Sequence, residues 1–84
     1  MDIRVCLFAR ARDLAGSDAV TLHLPAGATV GDLRKQLGRE RPALAGLLER
    51  SAVAVNDEFA DDSLTVPVGA EVALLPPVSG GTGW

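Results

Sequence analysis

Eighty-four residues suffice for one small core, which at this size removes only about 60–65% of the unfolded chain's surface from water, and leave no room for a second domain. A net charge of −3 with a single lysine excludes the basic stripe that phosphate binding requires and favours a basic partner surface instead. One cysteine, Cys6, excludes an intramolecular disulfide, a cysteine metal site and a four-cysteine iron–sulfur cluster, while no run approaches the roughly eighteen apolar residues of a membrane span and Met1-Asp2-Ile3-Arg4 is not a signal peptide. The expected location is cytoplasmic, with no nucleic acid and no membrane as partner.

Residues 2–9 alternate: Ile3, Val5, Leu7 and Ala9 point one way and Arg4, Cys6 and Phe8 the other, the period of a half-buried strand. Residues 10–18 are charged and contain Gly16-Ser17-Asp18, a turn. Val20-Thr21-Leu22-His23-Leu24 predicts a second strand that pairs with the first and stops at Pro25. Thr29 occupies an N-cap position with Asp32 three residues on, an aspartate version of the capping box. In the helix that follows, Val30, Leu33 and Leu37 share one face for packing on a sheet, and Gly38 lies near the end.

Past Pro42, residues 43–50 predict a second, shorter helical segment carrying Leu44, Leu47 and Leu48. A strand at 52–55, a short edge strand at 58–60 and a turn through Asp61-Asp62-Ser63 come next. Pro67, set among Leu64, Val66 and Val68, marks a loop or an edge, and the last strand is 71–75. The order β-β-α-β-β with a final strand leading into a tail is that of a β-grasp, the ubiquitin-like α+β fold. Its mixed sheet is packed on one main helix plus a short helical segment. The domain is expected over 1–76 and a flexible C-terminal tail over 77–84.

Side chains suited to catalysis are scarce. His23 is read as a sheet-surface side chain and Cys6, flanked by Val5 and Leu7, as a packed or half-exposed thiol. Ser17, Ser51, Ser63 and Ser79 have no neighbouring base, Asp61-Asp62 reads as a solvated turn, and neither a metal nor a bound cofactor is expected. The chain therefore supplies a group on which other proteins act. If Ile3, Val5 and Leu7 face the helix, then Cys6 and Phe8 face outward. By the same rule the last strand turns Val72 and Leu74 inward and Ala73 and Leu75 outward, with Ala54 joining them. Such an apolar patch on a small sheet marks a partner site. Phe59 either belongs to this patch or caps the core.

The end of the sequence, Leu74-Leu75-Pro76-Pro77-Val78-Ser79-Gly80-Gly81, runs from a strand into a diglycine. Without a Cβ, Gly80 and Gly81 can pass through a slot too narrow for a side chain. Pro76 and Pro77 stiffen the approach by fixing their own φ and holding the preceding residue extended. Five residues from Pro77 to Gly81 reach roughly 17 Å, enough to deliver a carboxylate into a buried site on another protein.

With Val5-Cys6-Leu7-Phe8-Ala9, Ala11-Arg12-Asp13-Leu14-Ala15-Gly16, Ala54-Val55-Asn56 and Gly69-Ala70-Glu71-Val72-Ala73 in the same order and spacing, this ending resembles the molybdopterin synthase small-subunit family, the MoaD/ThiS-type ubiquitin-like sulfur carriers. Ala70 stands where that family usually has Asp. The resemblance implies that Gly81, once its carboxylate is free, is adenylated by an ATP-dependent, E1-like activating enzyme and converted to a thiocarboxylate by a sulfur donor. It then gives its sulfur to a pterin precursor inside the large subunit of molybdopterin synthase. Gly80 would give clearance, and Pro76, Pro77, Val78 and Ser79 would form the spacer. Phe8, Phe59 and Leu75 would dock on the large subunit and on the activating enzyme, with Arg12 beside them. The chain would be the non-catalytic small subunit, ATP being used by its activating enzyme.

Thr82-Gly83-Trp84 departs from the pattern, because a peptide bond to Thr82 leaves Gly81 without a free carboxylate. The leading expectation is a pro-segment cut between Gly81 and Thr82 by a JAB-type peptidase. An addition foreign to the natural chain and a different use of the diglycine are the alternatives. Rival functions are a sulfur carrier for another thio-metabolite, as in a thiamine-like pathway, a ubiquitin-like protein modifier joined through Gly81 to a lysine, and a plain interaction module.

Overall fold

Alternation of apolar and polar residues produces β1 (Asp2–Leu7), with Ile3, Val5 and Leu7 buried on one face. The computed structural model, which describes residues 1–77, ends this strand two residues sooner than its alternation predicts. Ala9 takes φ 50°, turning the chain out of the sheet, and opens a helix, α1 (Ala9–Ala15), where a charged turn was expected. The segment Ala-Arg-Ala-Arg-Asp-Leu-Ala consists mostly of strong helix formers, and Gly16 closes it in the left-handed conformation with its N–H donating to Arg12 O at 2.9 Å. Ala9 is accordingly exposed and does not join the buried face of β1.

β2 (Ala19–His23) pairs antiparallel with β1, and the Met1 ammonium donates to Leu24 O just beyond it at 2.6 Å. α2 (Val30–Glu40) starts at the predicted capping box, where Asp32 N–H donates to Thr29 Oγ1 at 3.2 Å and Thr29 N–H donates to Asp32 Oδ2 at 3.0 Å. Two further amides of its first turn, Val30 and Gly31, donate to Leu64 O (2.9 Å) and Asp62 O (3.0 Å) in a distant loop. The helix runs past Gly38, where a Cβ would lie 3.3 Å from the Leu48 side chain.

A 3₁₀ turn (Pro42–Leu44) and α3 (Ala45–Leu48) form the shorter helical segment. β3 (Ala52–Val55) and β4 (Glu58–Ala60) make a two-residue hairpin through Asn56 and Asp57, both at positive φ as a type I′ turn requires and as these residue types tolerate. Asn56 also fixes the next strand: its N–H donates to Glu71 O at 2.8 Å, and its Oδ1 accepts from Glu71 N–H at 3.0 Å. β5 (Glu71–Leu75) completes a sheet of order β2-β1-β5-β3-β4, in which β1 and β5 are parallel and every other pair is antiparallel.

The inner face of the sheet, including Ile3, Leu22, Val53 and Leu74, packs on Val30, Leu33 and Leu37 of α2 and on Leu44, Leu47 and Leu48. The fold is therefore the expected β-grasp, with α1 added. Arg34 ties the helical layer together. Its Nε donates to Asp62 Oδ1 at 2.7 Å, and its Nη1 donates to Leu48 O and Ser51 O at the end of α3. Asp62 is thus an anchor, not simply part of a solvated turn. In that turn Asp61 accepts from Ser63 N–H at 2.9 Å and from the Ser63 hydroxyl, which holds its carboxyl below the usual carboxylate range.

Thr29→Ala removes the acceptor at the α2 N-cap and is expected to cost about 1 kcal/mol, a fall in Tm of roughly 4–8 °C. The hydrogen bonds from Thr29 hold the Asp32 carboxyl below its ordinary value. A depressed folded-state pKa contributes stability that is present above the unfolded carboxylate pKa, about 3.9, and is lost as pH falls through the lower folded value. Urea unfolding should therefore find Asp32→Asn less stable than the parent at pH 7 and the gap closing below about pH 4.

Candidate functional site

The register of the sheet settles what its outer face presents. Phe59 lies opposite Ala54, Ala54 opposite Ala73, Ala73 opposite Cys6 and Cys6 opposite Ala19, a single row crossing all five strands. Ala54 is buried yet stands outside the core cluster, as a small residue facing away from the helices must. Cys6 and Ala73 are half-buried. Phe59 is 77% exposed at the edge of the sheet, so it belongs to this face and does not cap the core. Adjacent strands are about 4.8 Å apart, which puts Phe59 some 14 Å from Cys6 along the row, across a floor of two alanines.

The next row toward the end of β5 carries Leu75, paired with Ala52. Leu7 is the partner of Leu74, so Phe8, the following residue and the N-cap of α1, lies at the same end of the sheet as Leu75. Phe8 is 46% exposed, while Leu75 and Pro76 are half-buried and Pro77 is exposed. Arg12 stands one turn into α1 from Phe8, its backbone N–H directed at Phe8 O (3.5 Å) and its guanidinium in a loose, exposed pair with Asp13 at 4.0 Å. On the opposite side the patch is bounded by a polar row, Thr21, Arg4 and Glu71, in register across β2, β1 and β5. The structure thus gathers Phe8, Arg12, Leu75 and Pro76 where β5 leaves the sheet and sets Phe59 apart at the far edge. Val78, Ser79, Gly80, Gly81 and Thr82, which carry the tail chemistry expected from sequence, lie outside the described residues.

Ser51, Ser17 and His23 are engaged in structural hydrogen bonds. The Ser51 hydroxyl donates to Leu47 O at 2.8 Å and the Ser17 hydroxyl to Ala19 O at 2.7 Å. His23 Nδ1 meets Asp2 Oδ1 at 2.9 Å on the exposed surface, and this bond lowers the Asp2 pKa. Among the described residues no group of three or more His, Cys, Asp or Glu side chains could hold a metal ion, and no helix is long and apolar enough to cross a membrane. The arrangement is an exposed, largely apolar face beside a strand exit.

The sequence matches the ThiS family over residues 5–81. The chain belongs to that family. It is 38% identical over 81 residues to the molybdopterin synthase sulfur carrier subunit of Arabidopsis thaliana, a match covering 96% of this chain and 84% of the relative. Its fold superimposes on the crystal structure of small archaeal modifier protein 1 (SAMP1) of Haloferax volcanii with a TM-score of 0.86 at 34% identity, covering 96% of this chain and all of that one. It is also similar to a chain in the Helicobacter pylori complex of subunits 1 and 2 of molybdopterin-converting factor, with a TM-score of 0.69, 27% identity and coverage of 96% and 100%. The ThiS-family resemblance read from sequence is thereby shown.

One substitution on β5 and one on β4 should separate the two faces of the sheet. Leu74 is fully buried, so Leu74→Ala is expected to cost about 2–5 kcal/mol and lower Tm by more than 10 °C. Phe59→Ser, on the exposed face, should change stability by less than about 0.5 kcal/mol. Thermal denaturation of both variants checks the assignment.

Proposed function

We propose that this chain is a sulfur carrier in molybdopterin biosynthesis, the small subunit that delivers a thiocarboxylate on Gly81 to the large subunit of molybdopterin synthase. The observation that carries this reading is the apolar face of Phe8, Ala73 and Leu75 placed where β5 runs out toward the Gly80-Gly81 pair. Membership of the ThiS family and the names of the relatives support it. On this reading the face docks on the large subunit and on an E1-like activating enzyme, while the tail enters their active sites. A carboxylate is a poor electrophile, so ATP is used by the activating enzyme to make the Gly81 acyl-adenylate, which a sulfur donor converts to the thiocarboxylate. Glycine at this position leaves the carbonyl unshielded, and catalysis belongs to the partners.

Gly81 is bonded to Thr82 in this sequence, so activation requires cleavage after Gly81, for which a JAB-type peptidase is the proposed agent. ATP–pyrophosphate exchange with the activating enzyme should proceed with a chain ending at Gly81 and be absent with one that continues to Trp84. Equal exchange by both would remove the pro-segment idea, and exchange by neither would remove the carrier reading. Phe8→Asp should weaken binding to the large subunit at least about tenfold, equivalent to 1.4 kcal/mol, in a calorimetric titration while leaving Tm nearly unchanged.

A second reading, a protein modifier, is favoured by the likeness to small archaeal modifier protein 1. It predicts conjugates linked through Gly81 to lysines of other proteins, visible as Gly81 remnants in peptide mapping of host extracts, where the carrier reading predicts an oxygen-to-sulfur exchange in the intact mass. Carriage of sulfur for a thiamine-like product is separated by which large subunit or synthase the thiocarboxylated chain can supply.

A further inference from the structure

Charge is divided unevenly along this chain. All eight of its Lys and Arg side chains lie within residues 1–50, whereas Asp57, Glu58, Asp61, Asp62 and Glu71 stand in residues 51–84 without a cation beside them in sequence. Asp62 is neutralised by Arg34, but Asp57, Glu58 and Asp61 make no ion pair among the described residues. The bonds from Ser63 that depress its pKa keep Asp61 ionised. Asp57, Glu58 and Asp61 follow the course of β4, which ends the sheet order and so has a neighbouring strand on one side only.

The register fixes what the backbone presents along that edge. In an antiparallel pair, bonded and non-bonded positions alternate, and each residue turns its N–H and C=O to the same side. Asn56 N–H donates to Glu71 O at 2.8 Å, so Ala54, two residues earlier, is bonded to Ala73 and directs both groups at β5. Its partner on β4, Phe59, therefore directs its own N–H and C=O off the free edge, and neither bonds to a loop or turn among the described residues. Beside them runs a groove of about 620 Å³ lined by Val55, Glu58, Phe59, Asp61 and Leu64. The loop that carries Leu64 is held in place, because Val30 and Gly31 of α2 donate to Leu64 O and Asp62 O and Thr29 bridges to Thr65. An unpaired edge is a template for another strand, and here its acidic flanks oppose pairing with the same edge of a second copy.

We propose that the free edge of β4 is a docking site for an extended segment of a partner protein in which basic and apolar side chains alternate. The segment adds a strand next to β4, bonded to the Phe59 N–H and C=O. Side chains of a strand alternate between its two faces, so the apolar ones lie beside Phe59 and the basic ones on the face of Glu58. There the methylene stems of the basic residues cover Leu64 and their charges meet Glu58 and Asp61. A segment carrying acidic residues is repelled by the same rim. Nothing in this docking depends on Gly81.

The test titrates the full chain with an acetylated and amidated pentapeptide of alternating lysine and valine, followed through the backbone amides by NMR. Shifts centred on Phe59, Ala60 and Leu64 are expected, with hydrogen exchange of the Phe59 amide slowed at least about tenfold at saturation. Glutamate in place of lysine in the peptide, or N-methylation of its backbone, should abolish binding. Glu58→Lys should weaken it at least about tenfold with Tm unchanged, because that side chain is exposed and makes no ion pair among the described residues. Equal binding by the N-methylated peptide, shifts confined to Phe8 and Leu75, dimerisation of the free chain through β4, or no binding at about 1 mM peptide would each overturn the proposal. Neither an activating enzyme nor a large subunit enters this experiment, so its failure leaves the carrier reading untouched.

Discussion

The parallel pairing of β1 with β5 is the constraint on which the rest of this molecule depends. These strands lie side by side within the sheet although 63 residues, from Phe8 to Ala70, lie between them in the chain. A parallel pair cannot be closed by a hairpin and needs a crossover, and here β2, the helical layer and the β3–β4 hairpin all lie within that crossover. Register then does the rest. With Leu7 opposite Leu74, Leu74 points into the core and Leu75 away from it, while a slip of one residue would exchange them. The outer row of Phe59, Ala54, Ala73 and Cys6 and the departure of the chain beyond Leu75 are therefore consequences of one pairing.

Much of this was legible from residue pattern. β3, β4 and β5 have the predicted bounds because each is bracketed by strong punctuation: Asn56-Asp57 for the hairpin, Pro76-Pro77 for the end of β5. The α2 capping box was legible because its two partners are only three residues apart. α1 was not. It buries only Ala11, so it has almost no apolar face to read, and the left-handed turn into it is made by Ala9, where no glycine marks the position. The outer face was legible as alternation, but alignment of Phe59 with Ala54, Ala73 and Cys6 required the strand order, which no single strand contains.

The Arg34–Asp62 link illustrates the same limit over a longer span, since its partners are 28 residues apart and neither belongs to a recognisable motif. Its chemistry explains why arginine stands there. One planar group reaches a carboxylate with Nε and two carbonyls with Nη1, and those carbonyls close the α3 segment, which is too short to be stable alone. Lysine, a single point donor on a flexible stem, could not reproduce this fork. The side chain is only 19% exposed, so these bonds are better shielded from solvent than those of an ordinary surface pair.

The capping of α2 by a remote loop has a consequence for the order in which this chain folds. Val30 and Gly31 donate to carbonyls of Leu64 and Asp62, and Val66 N–H returns to Ala28 O, so the start of the helix is stitched to a segment more than 30 residues later. Helix nucleation is costly, and a helix of this length is marginal alone. α2 therefore cannot act as a finished local nucleus while the chain emerges. Its first turn becomes protected only when the loop docks, which makes those two amides reporters of a late, long-range event inside an element that looks local.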